Sequence, residues 1–256
     1  MQFFQKKIIT PFMALLIAVV VGAGTWGVIT IVNTQASTGK QIDSIETQYT
    51  ASVTDAMTAE NDEIRPLIDL VKEDPLVTWD EKGERVLLLS WHKYPDSYVD
   101  GSSITLDYGP VWTFTDKEIT AWYKENKNGI TDWDMRLRQL IGLKPDSQYT
   151  HMTAFWASPN DIVRPAYCQD ITHDDMATSF QEEPSDDFHT WFNGNIISSY
   201  YEGAYPWTRL GYTYDWGNKE DEYGLTEFLI KEKAPVTIEF TKTTEDFIQW
   251  MENGGK

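Results

Sequence analysis

Hydrophobic positions divide this chain into three textures. From Ile8 to Val32 the sequence is apolar without a charged residue, with Lys6 and Lys7 just before it. At 1.5 Å per residue such a run reaches about 37 Å, enough to cross a hydrocarbon core of about 30 Å with some tilt. Its length favours a retained anchor over a cleaved signal peptide, for which Thr34-Gln35-Ala36 would be the cleavage site. The two lysines favour a cytoplasmic N-terminus, which places everything after Asn33 outside the cytoplasm.

In residues 37–74 the apolar positions thin out. Ile42, Ile45, Tyr49, Val53, Ala56, Ile64, Leu67, Ile68 and Val71 recur mostly every third or fourth residue, as on an amphipathic helix. Glu60 and Glu63 interrupt the stripe, and Pro66 and Pro75 kink or end it. The pattern reads equally as a helical stalk or as a helix packed on the domain. Residues 1–36 are thus the predicted membrane anchor, 37–74 the stalk, and 75–256 an extracytoplasmic domain.

Beyond Leu76 the periods shorten. Val77-Thr78-Trp79 and Arg85 to Trp91 read as a hairpin around Gly83, the second arm apolar enough for a central strand. Val111 to Thr115 predicts a strand that runs into a helix, with Thr115 and Glu118 as a capping box and Asn128-Gly129 as its end. Asp132 caps a further helix that stops at Gly142. Tyr149 to Ala157 predicts a strand, and Ser158-Pro159 opens a short helix to Arg164. Residues 168–190 read as a long acidic loop. Val236 to Phe240 predicts a strand, and a helix follows from about Thr244 to Met251. Strands and helices alternate irregularly, which gives an α+β domain with a mixed or antiparallel sheet and flanking helices.

Charge narrows the partners. The chain of 256 residues carries −19, and Lys6, Lys7 and Lys40 are the only charges among the first 40 residues. Residues 41–256 therefore hold −22, a surface that repels nucleic acid. With 11 Trp and 13 Tyr the domain has ample material for a core. The single cysteine, Cys168, forms no intrachain disulfide and reads as a small buried hydrophobe.

Candidate chemistry concentrates between Ser198 and Gly217. Trp207, Arg209, Tyr212, Tyr214, Asp215 and Trp216 are the predicted ligand-binding set: flat rings for stacking, a guanidinium and a carboxylate for orientation. The alternative reading makes Tyr212, Tyr214 and Trp216 one buried face of a strand. Glu202, Asp215 and Glu227 are the candidates for a glycosidase-like carboxylate pair, which needs a separation the sequence cannot supply. The acidic stretches Asp170 to His189 and Asp215 to Glu222 offer oxygen ligands for calcium, without EF-hand spacing. His92, His151, His173 and His189 form no HExxH motif, and no nucleophile elbow or phosphate loop occurs, so no metal and no cofactor is expected.

The run from Tyr205 to Gly217, YPWTRLGYTYDWG, resembles a segment of uncharacterised bacterial exported proteins. Ser90 to Pro95, and Phe155-Trp156 with Arg164-Pro165, are similar to companion segments of that group. The resemblance implies a bacterial, exported protein and attaches no activity. The combined expectation is a single-pass membrane protein whose domain binds a protein partner or cell-envelope glycan noncatalytically through the aromatic segment. A carboxylate-dependent hydrolase and a structural subunit of a membrane assembly are the alternatives.

Overall fold

A computed structural model describes residues 45–202 and 205–255. The expected anchor at 8–32 and the first part of the stalk lie outside them. Among the described residues no helix is long and apolar enough to cross a membrane.

Nine strands run in chain order: β1 (Val86–His92), β2 (Ser103–Thr105), β3 (Val111–Thr115), β4 (His151–Ala157), β5 (Ile162–Val163), β6 (Tyr212–Tyr214), β7 (Tyr223–Thr226), β8 (Phe228–Ile230) and β9 (Pro235–Thr243). Seven of them form one sheet in the order β2-β9-β4-β1-β3-β8-β5, while β6 and β7 make a separate pair. All the pairings are antiparallel. The fold is α+β, and of the two sheet types expected the antiparallel one is present.

β1 lies between β4 and β3 and is buried along almost its whole length, as its apolar run predicts. Alternation sends its side chains into two cores. Val86 and Leu88 pack with Phe155, Phe228, Val236 and Ile238. Leu87, Leu89 and Trp91 pack with Ile119, Tyr123, Leu137, Leu140, Phe247 and Met251. The second group comes from helices α2 (Asp116–Asn126), α3 (Trp133–Leu140) and α5 (Thr244–Glu252). Between β4 and β9 the register slips at Ala154/Phe155. One extra residue reverses which face β9 presents, so Ile238 joins the first core and Phe240 the second.

Residues 45–74 belong to the domain. Helix α1 (residues 45–55) is the only α-helical part of this stretch among the described residues. It lays Tyr49, Val53 and Ala56 against Tyr200 and Trp216. The predicted helix ends at residue 55 in a turn over 56–58, well before Pro66. The chain instead makes one 3₁₀ turn (Asn61–Glu63) and then runs without helix or strand, burying Leu67, Ile68 and Leu70. Ile68 N–H donates to Thr226 Oγ1 (3.1 Å) and Leu70 N–H to the Ile171 carbonyl (2.6 Å).

Local signals hold elsewhere with three differences. Thr115 caps α2 by accepting from Glu118 N–H at 3.3 Å, but the Glu118 carboxylate turns inward and does not close the capping box. The helix expected after Ser158 is a single 3₁₀ turn (Pro159–Asp161) followed by β5. The loop expected over 168–190 ends early: Ser185 caps α4 (Asp186–Ile197). Phe188, Trp191 and Phe192, spaced three and four apart, are the apolar stripe that marks this helix.

Candidate functional site

The aromatic segment is woven into the interior. Trp207, Arg209, Tyr212, Asp215 and Trp216 are all buried, and Tyr214 is half-buried with its hydroxyl on Asp55 (2.8 Å). Trp207 donates from Nε1 to the Pro165 carbonyl (3.1 Å) and meets Trp112 and Trp191 at about 6 Å between ring centroids. Trp216 donates to the Leu143 carbonyl (3.0 Å). Arg209 adopts a positive φ of 61°, and its guanidinium donates to the Ala56 carbonyl (2.8 Å) and the Tyr167 hydroxyl (3.0 Å). Asp215 accepts from Arg136 Nη1 (2.9 Å) and Gly217 N–H (3.0 Å). These groups fasten α1, α3 and the 165–167 turn to one another. They do not form the open groove expected of a ligand site, because they are buried or half-buried and bonded to the protein itself, Arg209 Nε alone among their guanidinium and ring nitrogens and carboxylate oxygens being buried without a partner.

Asp215 and Glu227 are not paired with each other. Asp215 is held by Arg136. Glu227 keeps some contact with solvent as a residue, yet its Oε2 is sealed from water and has no hydrogen-bond partner. Burial alone pushes Glu227 up to about 8, and no neighbouring charge contributes. Glu202 is described in its backbone only. A second buried acid, Glu118, escaped the sequence reading, which had placed it at a helix cap. Its oxygens accept from Thr226 N–H and Oγ1 and from the Tyr223 hydroxyl (2.8–3.2 Å), and burial still raises it to about 7.

His92 and His151 face each other across β1 and β4. Burial, then the neighbouring His151, brings His92 down to about 4, with Nδ1 accepting from Tyr94 N–H and Nε2 on the Thr153 hydroxyl. The acidic loop places Asp170 and Asp175 on His173 (3.2 and 3.4 Å). Among the described residues no group of three His, Cys, Asp or Glu side chains is arranged to hold a metal ion. Cys168 is a half-buried free thiol.

A groove of about 410 Å³ lies on the sheet. It crosses β2, β9, β4 and the residue leading into β1, a width of about 14 Å at 4.8 Å per strand. Alternation puts Ser103 and Thr105, Thr237, Trp156 and Arg85 on this face. The half-buried Trp156 indole sits among them and donates to Glu239 Oε2 (2.6 Å), the residue inserted by the β9 register slip. Arg85 donates from Nη1 to Thr237 Oγ1 (3.0 Å) and from Nε to Asp80 Oδ2 (2.9 Å). Thr237 Oγ1 also meets Ser103 Oγ (3.1 Å). One aromatic platform, one oriented guanidinium and a ring of hydroxyls converge in a volume typical of small-ligand sites. Sequence reading passed over it because its residues come from four separate segments. A larger depression, about 730 Å³, follows one side of α1 and the turn after it. Among the described residues it is lined by this one stretch of chain alone.

Comparison with protein-family models, with curated proteins and with solved structures gives no match for this chain.

Proposed function

We propose that this chain is a noncatalytic binding protein, tethered by its apolar N-terminal run, whose domain takes a cell-envelope glycan in the Trp156 groove. The observation that carries the reading is the half-buried Trp156 set among Arg85, Thr237, Ser103 and Glu239. Sugar rings present flat C–H faces that stack on an indole, and their hydroxyls both donate and accept. The aromatic surface thus moves from the predicted set at 207–216, whose rings are buried or half-buried, to a sheet face with one half-buried indole and several hydroxyls. The hydrolase alternative loses support, since Asp215 is neutralised by Arg136 and the shift of Glu227 has no carboxylate behind it. The apolar run and its preceding lysines support an extracytoplasmic domain, and a bacterial exported protein remains part of this proposal.

The test uses the full chain in lipid nanodiscs against purified, protein-free cell-wall glycan. Co-sedimentation is expected for the native chain, and Trp156→Ala should weaken it at least tenfold, about 1.4 kcal/mol. Equal sedimentation of both proteins, at matched thermal stability, would remove the groove from the function.

A further inference from the structure

We infer that the ligand of this groove is an uncharged polyhydroxylated chain, a neutral or N-acetylated polysaccharide, read by the Arg85–Asp80 pair acting as a neutral unit; the inference rests on the glycan reading above. Arg85 is the guanidinium lining the groove, and it is already matched. Asp80 accepts its Nε–H at 2.9 Å and also takes the backbone N–H groups of Glu84 (2.8 Å) and Arg85 (3.3 Å). Those bonds fix the carboxylate against the guanidinium in the turn between Trp79 and Val86, where the chain forms an isolated bridge. The pair has no net charge to offer an anion. Glu239 at the indole N–H adds a negative charge, and the chain beyond residue 40 carries −22. An acidic sugar approaching Trp156 would be repelled by Glu239 and by the net negative charge of the chain.

A neutral chain fits what remains. With Nε and Nη1 committed, Arg85 has Nη2 left as a donor whose direction is set by the other two bonds. Ser103, Thr105 and Ser158 supply hydroxyls, and Glu239 has its second oxygen left to accept. Vicinal sugar hydroxyls donate and accept at once, so they satisfy both kinds of group without carrying charge into the groove.

The experiment titrates three oligosaccharides of equal length into the full chain in nanodiscs: an N-acetylglucosamine oligomer, a galacturonate oligomer and a glucosamine oligomer. Calorimetry is run at low and high salt. The expected result is binding of the N-acetylated chain that changes less than about twofold with salt, because no net charge is paired. Arg85→Gln should weaken it about fivefold to tenfold, the equivalent of one ordinary hydrogen bond. Arg85→Gln leaves the Trp156 indole in place, so it keeps the test independent of whether Trp156→Ala folds. Preferred binding of the galacturonate or glucosamine chain, lost in Arg85→Gln or Trp156→Ala, overturns the neutral-ligand inference and leaves the glycan groove standing. Failure of all three, with cell-wall glycan also ignored, overturns both.

Discussion

Replacing Glu227 by glutamine is expected to stabilise the protein at alkaline pH and to leave it nearly unchanged at pH 5. The backbone N–H of Glu227 is spent on the Gly211 carbonyl (2.9 Å), and the residue joins β7 to β8 directly before the buried Phe228. There Oε2 is out of contact with water and unpartnered, and burial raises the carboxyl from 4.5 to about 8. Between those values the folded chain holds a proton that the unfolded chain has released. Stability therefore falls as pH rises through this window and levels off above about 8. The full loss is on the order of 5 kcal/mol, since each tenfold change in proton affinity is worth about 1.4 kcal/mol. Glutamine has the shape of the protonated acid and cannot ionise. In urea unfolding from pH 5 to 9, the stability difference between variant and native protein should grow steadily towards pH 8. Glu118 loses stability in the same direction between 4.5 and about 7, and His92 in the opposite direction as pH falls below 6.5, but both act equally in the two proteins and cancel in the difference. Parallel curves would mean that the carboxyl is solvated or paired after all.

Glu227 also illustrates what a sequence can and cannot carry. It stood out as an acid beside an aromatic segment, yet its environment is set by β3, β8 and the 211 turn, which lie far apart in the chain. Local signals were legible because their causes are local. Thr115, Asp132 and the glycine at 142, with its φ of 67°, end or begin helices through groups a few residues away. β1 and β3 were legible because buried strands need a fixed run of side chains. The 205–217 segment could be read either way, since the same rings serve a core or a cleft. Only the partners of their polar ends decide, and Pro165, Ala56, Leu143 and Arg136 come from elsewhere. Residues 64–70 misled for the same reason. Their apolar spacing fits a helix, but Pro66 and the buried carbonyl of Ile68 commit them to an extended path. The Trp156 groove was illegible because alternation makes Ser103, Trp156 and Thr237 neighbours only once the register of three strands is fixed.

The second large effect is expected at the residue that holds that extended path in place. Arg164 is fully buried at the end of β5, and its guanidinium reaches three places. Nε donates to the Asp170 carbonyl (2.9 Å), and Nη2 donates to the Ile68 carbonyl (3.1 Å) and lies 3.4 Å from Asp69 Oδ1. The stem passes the turn at Gly211, whose φ of 84° and lack of a side chain leave room: a Cβ there would sit 3.0 Å from Arg164 Cδ. The guanidinium lies over the Phe228 ring at 5.3 Å. Burial lowers its proton affinity, but an arginine stays charged, so the site retains a cation between two carbonyls and one carboxylate. Arg164→Ala removes the donors from the buried Ile68 carbonyl and the partly buried Asp170 carbonyl and leaves a void where the stem lay. Each orphaned group costs about 1–3 kcal/mol, and the combined loss should be about 3–5 kcal/mol. Arg164→Lys reaches one carbonyl at most and should recover about half. Asp69→Asn should cost under about 1 kcal/mol, because Asp69 is partly exposed and its contact is long. The loss should begin locally, so limited proteolysis of Arg164→Ala is expected to cut first within 64–74, ahead of the sheet. If Arg164→Ala unfolds at the same urea concentration as the native protein, or if Asp69→Asn costs as much, the carbonyl contacts do not hold this segment.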